Sequence, residues 1–410
     1  MLERLPTPLR AQLDGLPRPF WWIWLGTLVN RAGTFIEPFF VLYLTGPRHV
    51  SVQTAGLVLT VWGVGSTLSQ PLGGYLTDRY GRRTTLGLSL AATSVLLVVL
   101  GSVRGLGVIT AAAFVLGLVA DIYRPASSAA ISDLVPDPDR LRAYALQFWA
   151  VNLGFSVAST SAGVLLHVVG FGPLFLIDAA TTLAFGLLAL RYVPETKPHS
   201  DDAPARPGDS FRLLRADRLL AAASGLVFVY AVLYAQANIA LPLAVRDAGL
   251  SPSVYGYAIA VNGVLIVVGQ PLTIAWLGRA SRARTLPAGM ALVGLGLAAT
   301  GLCTAAWQFG LTVVVWTVGE ILTAGSFAAI IAQLAPPHMR GRYAGALGLA
   351  WGGSALAGPL VGTSTYARSP TALWVSCAFA GVAAGLGQRW VLLQLARRPQ
   401  SAEAAVPAVA

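Results

Sequence analysis

Six ionisable side chains stand inside long apolar runs of this 410-residue chain: Arg31, Glu37, Asp121, Arg124, Asp178 and Glu320. A fixed charge at the centre of a bilayer costs at least roughly 2.5–3.5 kcal/mol, so each is a candidate for work rather than packing. The chemistry open to such a set is ion pairing and proton uptake. The acids outnumber the bases, so some carboxylates lack a counter-charge if all six share one cavity, and burial without a counter-charge favours a protonated carboxyl. Asp121 and Arg124, at i and i+3, can pair on one helix face. Arg31 and Glu37, six positions apart, point about 120° away from each other on a straight helix, although Gly33 and Pro38 permit a kink. Glu320 has no basic residue one turn away, and Trp316 precedes it by one turn. Glu37 and Glu320 are therefore expected to exchange protons, with Asp121, Arg31 and Arg124 as the charges that compete for them. Asp178 is expected near headgroup level, in a structural hydrogen bond.

The elements that must position these groups are membrane spans. Hydrophobic residues make up 55% of the chain, charged residues 11%, and mean hydropathy is +0.67, against roughly 25% charged residues in a soluble domain. A span needs about 20 mostly apolar residues. Twelve candidates run over 20–45, 53–77, 84–103, 106–134, 143–168, 171–193, 218–245, 253–277, 285–303, 307–334, 343–366 and 371–394. The first run is a full span with no small-residue cleavage site before Phe20, which reads as an uncleaved helix.

The net charge of +11 is a topology signal rather than a nucleic-acid signal. Of the 28 Lys and Arg, Arg48, Arg104, Arg246 and Arg368 fall on one side, Arg31 and Arg124 lie within spans, and the rest share the side of both termini. That asymmetry predicts cytoplasmic termini and some attraction to anionic lipid. The two cysteines, Cys303 and Cys377, stand in separate apolar segments without ligand spacing, so neither a disulfide framework nor a metal site is expected.

A 200-residue offset relates the two halves. Val61, Gly63, Val64, Gln70, Pro71 and Leu72 align without gaps with Val261, Gly263, Val264, Gln270, Pro271 and Leu272. The same offset carries Arg82 to Arg282 and Leu134, Pro136, Arg140 and Arg142 to Leu334, Pro336, Arg340 and Arg342. An offset that holds across separate regions marks an internal repeat. The expected organisation is a six-helix bundle over 1–193, a cytoplasmic linker over 194–217 holding the sole lysine, Lys197, a second bundle over 218–396, and a disordered tail over 397–410.

Aromatic and neutral polar residues lie near the charges. Phe35, Tyr43, Tyr123, Trp149, Tyr234 and Trp316 could line a cavity that favours apolar or cationic molecules. Asn30, Asn152 and Gln236 could add neutral hydrogen bonds there or hold helices together. Phe20-Trp-Trp-Ile-Trp24 reads as an interfacial belt.

Between the second and third segments, Gly74 followed by Asp78-Arg79-Tyr80-Gly81-Arg82-Arg83 reads G-x-x-x-D-R-x-G-R-R. This resembles the loop signature of the major facilitator superfamily, and the resemblance covers the whole chain. It implies an all-α fold of twelve transmembrane helices in two six-helix halves, working by alternating access around a midplane cavity. It also assigns Gly74, Asp78, Arg79, Gly81, Arg82 and Arg83 to gating. The second half keeps Arg279, Arg282 and Arg284 but has Trp276 to Gly278 where an acid would stand, so the first-half loop is expected to hold the stronger latch.

Asn30-Arg31-Ala-Gly, Ala120-Asp-Ile-Tyr-Arg-Pro and Gly319-Glu320 resemble the drug:proton antiporter branch. Arg124-Pro125, Asn152-Leu-Gly154 and Gly319-Glu320 also resemble proton-coupled peptide transporters. That branch has an E-x-x-E-R in the first helix where this chain has Thr27 and Asn30 before Arg31. The expected function is export of small amphipathic or lipophilic compounds against protons, with peptide or metabolite symport as the alternative and a non-transporting sensor more remote.

No G-x-x-x-x-G-K-[ST] loop surrounds Lys197, which argues against nucleotide, and no H-E-x-x-H or G-x-S-x-G argues for catalysis. The expectation is therefore no enzyme, no cofactor beyond the proton gradient, and no nucleic-acid partner. The partners expected are a small-molecule substrate and the bilayer of a bacterial inner membrane, with the protein a monomer.

Overall fold

The structure, a computed structural model, describes residues 15–36, 40, 43–44, 46–197 and 209–397. The first half contains α1 (Arg18–Ala32), α2 (Val52–Tyr80), α3 (Arg82–Ser102), α4 (Leu106–Ala120), α5 (Tyr123–Leu134), α6 (Arg140–Val169) and α7 (Phe171–Tyr192). A short helix, α8 (Asp209–Ala216), precedes the second half. That half contains α9 (Arg218–Ile239), α10 (Leu241–Asp247), α11 (Pro252–Arg279), α12 (Arg282–Ala299), α13 (Ala306–Thr323), α14 (Ser326–Leu334), α15 (Arg340–Arg368) and α16 (Pro370–Arg397).

Among the described residues nine helical stretches are long and apolar enough to cross a membrane. The other three predicted segments correspond to α1, of which 15 residues are described as helix, and to α2 and α6. With lipid as solvent, only helices that satisfy their own backbone groups can span. This is the twelve-span, two-half architecture expected above.

Four segments predicted as continuous are interrupted, and they are the first and fourth of each half. Within 106–134, α4 stops at Ala120 because Pro125 brings no N–H to the turn; Arg124 N donates to Asp121 O instead, at 3.1 Å. The matching break in the second half lies between α13 and α14, where Gly325 takes φ +73°. Within 218–245, Pro242 in the first turn of α10 separates it from α9. In the first segment α1 ends at Ala32 before Gly33, and Glu37 and Pro38 lie outside the described residues.

The halves meet along two seams. In one, α2 packs against α15 through glycine: a Cβ on Gly74 would stand 2.5 Å from Gly341 O, and one on Gly345 would stand 2.7 Å from Gln70 O. In the other, α6 meets α11, where Gln270 Nε2 donates to Ala145 O at 2.8 Å and Trp149 Nε1 to Val267 O at 3.0 Å. Pro271 explains the second bond, since Val267 O would otherwise accept from the N–H that proline lacks. Both seams loosen away from the Asp78–Arg83 loop. A Cβ at Gly63 would meet only Leu356 Cδ2, at 4.0 Å, and one at Gly56 or Gly256 would meet nothing within 4 Å. The closest approach of the halves is thus at the end that carries this loop.

The second half has an apolar core of its own, whereas the loop-end core of the first half also takes in Ile274, Ala329 and Ala332 of the second. Leu286, Met290, Val293 and Phe309 belong to that of the second half. In the first half, Phe20, Leu86 and Phe185 gather toward the loop end and Phe40, Leu97 and Phe175 toward the far end. The predicted linker is not wholly irregular, because α8 packs beside α15 with Leu213 buried. Residues 198–208 and the predicted tail from 398 lie outside the described residues.

Candidate functional site

Three charged groupings stand out, one between the halves and one within each. The first is at the loop end. Asp78, near the end of α2, is buried, and Arg342, in the first turn of α15, faces it across the seam. Asp78 Oδ1 accepts from Gly341 N at 2.9 Å, and Oδ2 from Arg342 N and Nε at 2.9 and 3.0 Å. The carboxylate thus satisfies orphan amides at the start of α15, where the helix dipole favours negative charge. Arg82, fully buried, lies 3.6 Å from Asp78 Oδ1, pairs with Asp133 at 2.8 Å and donates to Pro337 O at 2.7 Å. Asp133 in turn pairs with Arg340 of the other half.

Gly81 takes φ +101° to turn the chain between α2 and α3, a conformation that favours glycine. Glu195 then caps α3, accepting from Arg82 N at 2.7 Å and Thr84 N at 3.4 Å. Two arginines of the predicted gating set do not reach the other half. Arg79 is exposed, lies over the Tyr80 ring and lends its carbonyl to Lys197 Nζ; Arg83 donates to Leu190 O. The side chains that cross the seam from this loop are those of Asp78 and Arg82, because α2 and the start of α3 turn them inward.

The second grouping lies within the first half, at the break between α4 and α5. Asp121 accepts from Arg124 Nε at 2.6 Å and from Ser66 Oγ. Arg31 donates to the Tyr123 hydroxyl, its guanidinium 5.6 Å from the ring centroid. Asn30 Nδ2 donates to Thr182 Oγ1 at 2.9 Å. Asn30, Arg31, Asp121, Tyr123 and Thr182 border a cavity of about 60 Å³ that Trp62 and Asp178 also line, enough for a few waters and small for a drug-sized molecule. Asp178 is buried, at 4% exposure, and accepts from Ile36 N at 3.2 Å.

The third grouping belongs to the second half. Glu320, 4% exposed on α13, accepts from the Tyr234 hydroxyl at 2.8 Å and from Asn262 Nδ2 at 2.9 Å. Asn262 also reaches Thr317 Oγ1 at 2.9 Å. Trp316 meets Tyr234 edge to face at 5.9 Å, and Tyr230 stacks on Tyr234 at 6.2 Å. Among the described residues Glu320 has no ion pair; its partners are neutral.

Other predicted cavity residues stand elsewhere. Phe35 is in the far-end core, and the Tyr43 hydroxyl there accepts from Arg48 Nε at 2.8 Å. Trp149 stacks on Trp24 and ties the α6–α11 seam. Asn152 donates to Phe148 O of its own helix at 2.9 Å, and Gln236 to Gly358 O at 3.3 Å, joining α9 to α15. Glu37 lies outside the described residues. Sequence reading missed Ser66, Asp133, Thr182, Glu195, Asn262 and Arg342 as partners. Arg342 did stand in the repeat as the mate of Arg142, and Asn262 stood among the aligned residues of α11.

The repeat, the loop signature and the two-half helical bundle all agree with the comparisons to known proteins. A family model described as Major Facilitator Superfamily matches residues 23–359 and also 223–408. The chain belongs to the Major Facilitator Superfamily, and is a membrane transporter rather than an enzyme. It is 25% identical to the uncharacterized MFS-type transporter YqjV of Bacillus subtilis over 352 residues, 83% of this chain and 85% of that one. Identity to the Na(+), Li(+), K(+)/H(+) antiporter of Planococcus maritimus is 23%, over 78% of this chain and 83% of the relative. For the class C tetracycline resistance protein of Escherichia coli it is 27%, over 77% and 80%. A bacterial homologue of the iron transporter ferroportin has the same fold, with a TM-score of 0.74 at 17% identity, covering 93% of this chain and all of that structure.

Proposed function

We propose that this protein is a proton-coupled antiporter of the bacterial inner membrane that exports small amphipathic or lipophilic compounds by alternating access. The observation that carries the reading is Glu320: a buried acid, held by Tyr234 and Asn262 and without a counter-charge among the described residues. A proton is the local counter-charge open to it. The first half offers the complement, a paired set of Asp121, Arg124 and Arg31 beside Tyr123. Release or capture of a proton at one set changes what the arginines of the other can hold, and that differential contact biases two conformations.

Both termini are taken as cytoplasmic, from the distribution of arginine. The latch of Asp78, Arg82, Arg340 and Arg342 then closes the cytoplasmic side. The similarity to a tetracycline resistance protein supports a lipophilic cargo, and the similarity to a cation/proton antiporter supports exchange for protons.

The test uses purified protein in liposomes with an imposed pH gradient, an internal pH dye, and a panel of lipophilic cations, short peptides, sodium and potassium. Proton movement driven by a lipophilic cation moving the other way is the expected result. Cotransport of protons with a peptide would replace this reading with symport. Exchange restricted to sodium or potassium would replace the drug with an inorganic cation, and no proton flux with any of them would remove proton coupling.

A further inference from the structure

The short helix α8 joins two surfaces that bear on the latch. Its inner side is fastened to Arg342, the residue that Asp78 holds across the seam. Asp209 Oδ2 lies 3.1 Å from Arg342 Nη1, Ser210 Oγ donates to Arg342 O at 3.1 Å, and Leu213 is buried in the apolar core of the second half. Asp217 separates α8 from α9 and caps that span, accepting from Leu219 N at 2.9 Å. The helix therefore sits within a turn of a membrane span.

Its outer side is different. Phe211, Arg212 and Arg215 are exposed and spaced at i, i+1 and i+4, so they share one face, and the exposed Arg218 follows at the start of α9. Arg212 Nη1 lies 3.8 Å from Asp209 Oδ1, while half of its side chain remains open. An aromatic ring beside several guanidinium groups, next to the mouth of a span, is the composition of a helix lying in the headgroup layer. Guanidinium groups match phosphate oxygens in geometry and charge.

We propose that the outer face of α8 binds the headgroups of anionic phospholipids, and that this contact braces the closed latch through Asp209 and Arg342. The occupant is the lipid of the leaflet in which the protein stands. The inference rests on the loop end facing the anionic leaflet, but not on the identity of the cargo or on proton coupling. Anionic lipid holds α8 against α15, α8 holds Arg342 in place, and Arg342 keeps its bonds to Asp78. A neutral leaflet leaves α8 attached by its inner contacts alone, so the loop end opens more often.

The test is hydrogen exchange read by mass spectrometry on the full chain in nanodiscs of phosphatidylcholine, with or without phosphatidylglycerol. With about 1 kcal/mol of surface attraction per arginine, anionic lipid should slow amide exchange over 209–216 and at the start of α15 by roughly fivefold or more. Arg212→Gln with Arg215→Gln should abolish the difference between the two membranes. Asp209→Asn should keep the slowing within α8 and lose it at Gly341 and Arg342. Equal exchange of the wild type in both membranes would overturn the proposal without any variant, and so would an undiminished lipid effect in the double variant. Inorganic phosphate added to detergent-solubilised protein should leave exchange unchanged. Equal slowing by phosphate would replace the lipid with a free anion.

Discussion

Asp78 and Arg342 stand 264 positions apart and on opposite halves, yet one carboxylate oxygen accepts from both the backbone N–H and the side-chain Nε of the arginine. Both side chains are buried, Asp78 at 1% and Arg342 at 7%. The seam between α2 and α15 is thus closed by a charge that is also a helix cap. Removing the acid leaves Arg342 to Asp209 and Arg82 to Asp133 and strands the α15 amides that it caps, a loss of about 1–3 kcal/mol. Asp78→Asn should therefore shift the protein toward opening at the loop end and slow turnover while leaving substrate binding largely intact. Spin-label distances between the ends of α2 and α15 check the first part, and unchanged transport by the variant would remove the latch role.

At the other seam the fastening is neutral. Trp149→Phe deletes the hydrogen bond to Val267 O and should weaken the α6–α11 contact by about 1 kcal/mol. Pro271→Ala returns a ladder donor to that carbonyl, so the tryptophan bond matters less in its presence. A double-mutant cycle on thermal stability should give a clear coupling between the two sites, and strict additivity would show that the proline and the tryptophan act independently.

Close approach of the halves depends on glycine. In Gly341→Ala the new methyl would stand 2.7 Å from Gly74 O and 2.8 Å from Asp78 Oδ1. Backbone cannot yield there cheaply, so α2 and α15 should separate and the Asp78 bonds lengthen. Cysteine pairs placed across the seam should cross-link less efficiently than in the parent, and equal efficiency would count against contact-limited closure.

Glu320→Gln keeps the shape and one acceptor for Tyr234 while abolishing the charge. Transport driven by a pH gradient should fall to background or become independent of the gradient, with exchange of labelled substrate in the absence of a gradient retained. Glu37→Gln is expected to do the same. Parent rates in both variants would exclude these acids as proton carriers.

The spans, the repeat and the signature loop were legible because each is written locally, in apolar runs, in loop arginines or in one decapeptide. The breaks in the first and fourth segments of each half were half-visible: Pro125, Pro242 and Gly325 are plain in the sequence, but a proline can kink a span without ending it. What local pattern could not carry is which side chains meet. Arg79, Arg82 and Arg83 look alike in the sequence, and only the turn at Gly81 sends Arg82 inward and its neighbours outward. Asn262 escaped notice because a lone asparagine in an apolar run has no periodic signature, and its significance comes from α13 lying beside α11. The bond of Trp149 to Val267 O escaped notice because a ring in a span carries no mark of the carbonyl it will meet.

Pro271 has one more consequence. Whenever α6 and α11 part, Val267 O loses Trp149 and finds no replacement along its own helix. A carbonyl left without a donor inside a membrane protein is costly, so a water is expected to enter with each opening. If the protein works by the alternating access proposed above, each opening is a wetting event as well as a rotation, and osmolytes that lower water activity should hold the loop end shut.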